Sequence, residues 1–243
     1  MIDTEHLHRV RTIVDRDNGT EISDGIQERD PDTLFPLQAA LGYDIAQNLF
    51  IGKANLLVEG VSDLLYVTIM SAVLEKAGRE HLANSIVIVP VGGADKVATF
   101  ISLLKGNKLK VVCLLDTIVD PAAKQRLEDM VRRKIIKESA IRFCGDYVLP
   151  SRPADVEDFF TKEDYLKIFV AAYPEHKGLS LTKLDASIPK IVQQISGALS
   201  RERYNHYRPA NTLATMGIGA DYFQKQTLDT WEAVFKDINK RLD

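Results

Sequence analysis

Long apolar runs are missing from this sequence. None of its hydrophobic stretches approaches the roughly 20 residues that a membrane-spanning helix requires. The first residues carry Asp3, Glu5, His6 and His8 in place of a signal peptide's apolar region. Together these features lead us to expect a soluble, cytoplasmic protein. Cysteine is scarce, with only Cys113 and Cys144, both inside apolar strand-like runs. That pattern fits two reduced core thiols better than a disulfide. No Cys/His cluster has the spacing of a zinc site. An excess of positive charge is also lacking: 31 Lys+Arg stand against 34 Asp+Glu, a net charge of −3. Composition alone therefore gives no reason to propose nucleic acid as a partner. Neither a Walker A motif nor G-x-G-x-x-G is present, and we see no internal repeat. What remains is 243 residues, 45% hydrophobic and 27% charged, enough for one large or two small domains with a buried core.

The first 50 residues differ from the rest. From Asp15 to Asp32 the chain is polar and turn-rich, and Leu34–Gly42 reads as a short helix closed by glycine. From residue 54 apolar strands alternate with helices. Asn55–Val58, Ile86–Val91 and Val111–Leu115 read as strands, with Ile141–Cys144 and Tyr147–Leu149 forming a fourth strand region. Between them, Ser62–Ala77 reads as a helix with Ser62 at its N-cap, and Ala94–Leu104 as a second helix. Pro121 opens a charged helix through about Glu138. Beyond Pro153 the pattern is helical: Lys162–Tyr173, Ser187–Leu199 and Thr227–Leu242. Continuous apolar strands separated by helices predict an α/β fold, a parallel sheet covered by helices on both faces, with a small all-helical insertion.

In such sheets a site forms at the carboxyl ends of the strands. Three such ends carry Glu59-Gly60, Gly92-Gly93 and Asp116. Asp63 in a first helical turn has an ordinary explanation, since it complements the helix dipole. Glu59 is harder to explain that way, because it places a charge at the functional edge of the sheet beside a flexible glycine. Asp116 is either a rigidly held metal ligand or a turn aspartate, and Asp120 before Pro121 reads as an N-cap. Gly92-Gly93, between strand and helix, suits a phosphate turn, with Lys96 in the following first turn. Asp155, Glu157 and Asp158 precede Phe159-Phe160, either as a solvated helix start or as completion of a metal site. If Glu59, Asp63, Asp116 and Glu157 converge, their oxygen-only chemistry selects Mg2+ or Mn2+. A pair of such ions is suited to phosphodiester cleavage. The Lys124–Lys137 strip, broken by acids, reads as a solvated helix face. Arg201, Arg203, His206 and Arg208 enclose Tyr204 and Tyr207, a mixture that suits a nucleic-acid surface.

Leu56-Leu57-Val58-Glu59-Gly60-Val61-Ser62-Asp63 resembles the first motif of a Toprim domain, and Val111–Asp116 its second acidic motif. The Gly92-Gly93 turn is typical of the nuclease branch of such domains. More closely, the chain resembles the C-terminal Toprim nuclease region of the OLD (overcoming lysogenisation defect) family. Asp32-Thr33-Leu34-Phe35-Pro36-Leu37 through Leu49-Phe50-Ile51-Gly52 is similar to the stretch that joins that family's ATPase to its Toprim domain. Met1-Ile2-Asp3 resembles the residues that follow the ATPase.

The resemblance implies a divalent-metal-dependent DNA endonuclease acting through two Mg2+ or Mn2+ ions. It implies residues 1–50 as the linker or tail of a missing ATPase domain and 51–160 as the Toprim catalytic domain. Residues 161–205 become the helical insertion, and 206–243 a segment packing back on the Toprim domain. Glu59, Asp63, Asp116 and Glu157 take the family's acidic positions, Asp120 and Asp158 stand beside them as further metal candidates, and Arg208 is the candidate basic catalytic residue. Gly92, Gly93, Lys96, Arg201 and Arg203 are the candidate phosphate and DNA contacts. The implied partners are DNA and the ATPase domain of the same protein, with a homodimer formed through that ATPase. No nucleotide site is expected within this chain. One departure stands out: many Toprim domains carry D-x-D where this chain has Asp116-Thr117-Ile118. Either the second carboxylate is dispensable or Asp120 replaces it. The rival readings are another Toprim phosphoryl-transfer enzyme such as a primase, a non-catalytic DNA-binding or dimerisation module, and a phosphatase-like enzyme.

Overall fold

The computed structural model describes residues 13–16, 19–22, 52–93, 97, 109–117, 121–134, 136–148, 152–199 and 204–243. They fall in two compact units, 1–51 and 52–243. In the first, β1 (Ile13–Arg16) pairs antiparallel with β2 (Gly19–Ile22). The stretch read as merely polar and turn-rich thus contains a hairpin. Its register sets Arg16 against Gly19, whose φ of 119° lies where glycine is favoured. The helix expected over 34–42 falls outside the described residues.

The second unit is built on a four-stranded parallel sheet. β3 (Ala54–Val58), β4 (Ile86–Pro90), β5 (Lys110–Leu115) and β6 (Ile141–Phe143) lie in the order β4-β3-β5-β6. All five residues of β3 are buried, which is why this strand reads as a continuous apolar run. Helix α1 (Val61–Lys76) carries the chain from β3 to β4, and α2 (Pro121–Arg132) lies between β5 and β6. The first crossover moves to one side of β3 and the later ones to the other. Right-handed connections then place α1 and α2 on opposite faces. The strand order reverses between β3 and β5, and there the ends of the two strands open a crevice.

Several boundaries differ from those the sequence predicts. Helix α1 begins at Val61, with Gly60 rather than Ser62 at the cap. The Gly60 N–H donates to Asp63 Oδ2 at 2.9 Å, so the acid in the first turn caps the helix from inside. Helix α2 ends at Arg132, not near Glu138, and Lys134 turns the chain out with φ of 57°. Tyr147 lies in a short helix, α3 (Gly145–Val148), instead of a strand. The cause is local: Asp146 Oδ2 accepts the Phe143 N–H at 3.1 Å and curls the chain back.

Helix α4 (Lys162–Ala172) starts at the Thr161 cap, α5 (Ile191–Ala198) follows Pro189, and α6 (Tyr207–Thr215) carries Pro209 in its first turn. Sequence reading missed α6 by treating its basic and aromatic residues as a surface patch. Helix α7 (Lys225–Leu242) buries Leu228, Trp231, Val234, Phe235, Ile238 and Leu242, a 3–4 spacing that defines one face. It packs against α1, β3 and β5.

One hydrophobic cluster runs from Leu56 and Val58 of the sheet through Tyr66, Phe159 and Phe160. It continues to Tyr165, Phe169, Ile195, Leu213 and Trp231. The helices from 162 to 215 therefore share the core of the sheet and have no core of their own. Asp164, fully buried, ties them to α7. Its Oδ2 accepts the Gln224 N–H at 2.8 Å and the Thr227 hydroxyl at 2.6 Å, and its Oδ1 accepts Lys167 Nζ at 2.9 Å. Gln224 offers no side-chain cap of its own, so Asp164 caps α7 across the core. Replacing Asp164 with Ala leaves these buried donors unmatched. We expect Asp164→Ala to cost about 3 kcal/mol in urea unfolding. A loss under about 0.5 kcal/mol would show that Asp164 is a bystander.

Candidate metal centre at the strand ends

Glu59 leaves β3 at the crevice. Its carbonyl accepts the N–H of Gly92 at 2.8 Å and of Gly93 at 2.9 Å, from the end of β4. Its carboxylate Oε1 accepts the N–H of Asp116 at 3.0 Å, from the end of β5. One residue thus fastens three strand ends. Gly92 and Gly93, at φ of 82° and 128°, adopt backbone that side chains disfavour, and this directs both amides at Glu59. Those two donors, proposed from sequence as phosphate contacts, are engaged with Glu59 here.

Asp116 is aimed by its neighbours. Its Oδ1 accepts the Val156 N–H at 3.3 Å, and the Cys144 Sγ lies at 3.7 Å. Thr117, the residue inside the broken D-x-D, docks the next acidic segment. Its N–H donates to the Ala154 carbonyl at 3.0 Å, and its hydroxyl oxygen accepts the Ala154 N–H at 2.9 Å. The turn Val156–Phe159 is thereby held beside Asp116, and Phe159 and Phe160 anchor it in the core against Trp231 at 5.0 and 5.5 Å between ring centroids. Glu157, 4% exposed, faces His206 with Nδ1 3.6 Å from its Oε1.

These acids feel one another. Burial first, then the charges of Glu157 and Glu59, raise the Asp63 carboxyl from its ordinary 3.8 to about 7. Burial, then Asp155, Asp63, Glu157 and Glu59, push Asp116 well above its usual range. Dehydration and like charge both disfavour ionisation, and a hard cation relieves both. The donor set is oxygen-only, which suits Mg2+ or Mn2+. Among the described residues, however, no three His, Cys, Asp or Glu side chains stand close enough to form a ready ligand group. The chemistry of the set fits a hard cation, while its side chains as they stand do not form a closed cage.

The remaining candidates divide. Asp158 uses Oδ2 on the Asp155 N–H and Oδ1 on the Ile191 N–H, both at 2.9 Å, so it caps its own turn and the start of α5. Burial, the largest influence, still brings its carboxyl to about 7. Arg208 lies over the Tyr173 ring at 4.3 Å and 3.8 Å from Glu175. Asp120, Lys96, Arg201 and Arg203 lie outside the described residues.

Lys190 was not among the candidate site residues, and His206 was read only as part of a nucleic-acid surface, not of the acidic site. Lys190 Nζ donates to Asp155 Oδ1 at 2.5 Å with only 7% of the residue exposed. Its signal was present: a cation at the N-cap of α5 opposes the helix dipole. His206 stacks on Tyr204 at 5.0 Å. Its place beside Glu157 comes from the packing of α6, which sequence spacing does not reveal.

A parallel α/β sheet with carboxylates at its switch point is a frame shared by several phosphoryl-transfer proteins. Residues 50–117 match the family model described as overcoming lysogenization defect protein-like, TOPRIM domain. This segment is therefore an OLD-like TOPRIM domain. Comparison with curated proteins finds no match. Among solved structures, the chain is similar to the C-terminal region of the Xanthomonas campestris pv. campestris OLD protein, determined once with iodine and once with mercury phasing. The first has 14% identity and a TM-score of 0.46, covering 79% of this chain and 97% of that one. The second has 16% identity and a TM-score of 0.43, covering 77% and 98%.

The raised carboxyl of Asp63 has a thermodynamic consequence. Between 3.8 and about 7 the folded state holds a proton that the unfolded state has released, so this contribution is full at low pH and disappears as pH rises through about 7. Asp63→Asn keeps an acceptor for Gly60 and removes the charge. We expect it to be roughly 2–4 kcal/mol more stable than wild type at about pH 8 without added metal, and no more stable at about pH 4. Parallel unfolding curves at both pH values would refute the burial of this charge.

Proposed function

We propose that this chain is a divalent-metal-dependent DNA endonuclease module, the nuclease part of an ATPase–nuclease protein. The observation that carries the reading is the gathering of Glu59, Asp63, Asp116 and Glu157 at the switch point, close enough that, beyond burial, the charges of Glu59 and Glu157 raise the proton affinities of Asp63 and Asp116. Glu59, Asp63, Asp116 and Glu157 would hold Mg2+ or Mn2+. A hard cation there supplies Lewis acidity toward a phosphodiester and lowers the pKa of bound water. The chain's own residues prepare the place. The Asp116 N–H orients Glu59, the Val156 N–H orients Asp116, and Thr117 sets the acidic turn against them. The contacts that draw the DNA backbone toward this edge are assigned to Lys96, Arg201 and Arg203, and Arg208 is assigned as the basic catalytic residue.

Within the same reading, residues 1–50 connect to an ATPase, 161–205 are a helical insertion, and the protein works in the cytoplasm, dimerising through the ATPase. Among the described residues no helix is long and apolar enough to cross a membrane. A second reading, a non-catalytic DNA-binding or dimerisation module, draws on the absence of a ready three-donor group among the described residues.

Plasmid nicking with Mn2+ separates the two. Glu59→Gln keeps an acceptor for the Asp116 N–H while removing the charge, so it tests chemistry without unfastening the strands. We expect Glu59→Gln and Asp116→Asn each to lose on the order of a hundredfold or more in nicking rate. Wild-type rates in both variants would sink the nuclease reading and leave the second.

A further inference from the structure

The amino ends of the strands, opposite the crevice, border a cavity of about 690 Å3. Lys53 and Lys110 line it from the starts of neighbouring strands, where the Lys110 N–H donates to the Lys53 carbonyl at 3.0 Å. Lys236 and Lys240, about one turn apart on α7, line it as well. Asn239 locks this stretch of α7 in place. Its Oδ1 accepts the Ala83 N–H at 2.9 Å and its Nδ2 donates to the His81 carbonyl at 2.8 Å. Ala54, Ile86 and Leu242 give the cavity an apolar lining.

Four ammonium groups therefore share one cavity, and little matches them. The acids on its lining are Glu80 and Asp243. Glu80 Oε1 accepts from Asn239 Nδ2 at 3.1 Å, and the main-chain oxygen of Asp243 accepts from Lys110 Nζ. The acids that α7 could offer its own lysines are engaged elsewhere. Glu232, four residues before Lys236, accepts from Arg79 Nε at 3.0 Å and from the Glu80 N–H at 3.2 Å. Asp237 accepts from Arg241 Nε at 2.8 Å and from the Tyr147 hydroxyl at 2.6 Å. Among the described residues the side chains of Lys53, Lys236 and Lys240 meet no hydrogen-bond or ion-pair partner. The dipole of α7 accounts for Lys240 in its last turn. It does not account for Lys236 a turn earlier, and like charges four residues apart on a helix oppose folding.

We propose that this cavity is an anion site that takes an oligophosphate, a ligand of two or more linked phosphate groups. An ammonium is a compact point charge with three rotatable donors, which suits tetrahedral phosphate oxygens, whereas the arginine fork suits a planar carboxylate. Four ammonium groups drawn from two strands and a helix call for more than one anionic group. The apolar lining lowers the local dielectric and strengthens each contact. The cavity lies about the length of β3, roughly 16 Å, from the crevice, and uses none of the acids there.

Calorimetric titration of the whole chain with inorganic triphosphate, in metal-free buffer at about 0.15 M salt, measures this binding. We expect saturable binding in wild type, with inorganic phosphate at least about tenfold weaker. Lys53 and Lys240 are exposed, so glutamine at either position leaves the fold intact. We expect Lys53→Gln and Lys240→Gln each to weaken triphosphate about tenfold or more. Lys124→Gln removes a lysine of α2 that pairs with Glu128, and we expect it to bind as wild type does. A short single-stranded oligonucleotide presents the same phosphates in a chain. Tighter binding of the oligonucleotide, with the same loss in Lys53→Gln and Lys240→Gln, assigns the site to a nucleic-acid backbone. Tighter binding of triphosphate assigns it to a free ligand, and both outcomes support an oligophosphate site. No binding of either probe by wild type overturns the proposal. So does binding that Lys53→Gln and Lys240→Gln leave unchanged, or an equal loss in Lys124→Gln, which would reduce the effect to general surface charge.

Discussion

The hydrogen bonds around Glu59 hold the rest of the site in place. Its carbonyl takes two amides from the end of β4 and its carboxylate takes one from the end of β5. Parallel strands have no hairpins to tie their ends together, so without such a clip the switch-point crevice is free to widen. Because the clip includes the carboxylate itself, the charge at the edge is fixed in direction before any ligand arrives. A price follows: burial raises the proton affinities of Asp63 and Asp116, and the charge of this carboxylate adds to the rise.

The acids of this chain illustrate how similar residues divide into different work. Asp164 is more buried than any acid at the crevice, yet hydroxyl, amide and ammonium donors surround it and it serves to cap a helix. Asp158 has full backbone satisfaction and joins two elements. Asp63 and Asp116 share with Asp158 the influence of other carboxylates, but neither joins two helical turns through backbone donors on both oxygens. Folding alone gains nothing from like charges in one place. Burial is the largest influence on both Asp63 and Asp116, and the neighbouring carboxylates add to it.

Much of this was readable in advance because the relevant signals are local. Continuous apolar runs located β3, β4 and β5 to within one residue at their ends. An acid or glycine directly after such a run marked Glu59, Gly92-Gly93 and Asp116. What escaped depends on side-chain contacts that spacing rules do not register, some local and some remote in sequence. Asp146 folding back on Phe143 turned an expected strand into a helix. Helix α6 was hidden because Tyr207 and Arg208 look like surface, although Pro209, Ala210 and Leu213 are buried. Lys190 meets Asp155 across 35 residues. No spacing rule links them, and only the packing of α5 on the acidic turn brings them together.

The acidic turn and the core meet in a way that has an optical consequence. Trp231 is the single tryptophan of the chain, and the Phe159 ring stands edge-on to it two residues after Glu157. Among the described residues the buried indole N–H meets no hydrogen-bond partner. Its emission therefore comes from a dry, apolar surrounding whose nearest wall is the turn that carries the acids. Any loosening of that turn admits water to the indole and shifts the emission to longer wavelength. The protein thus carries, in its native sequence, a fluorescent reporter of the state of its own site.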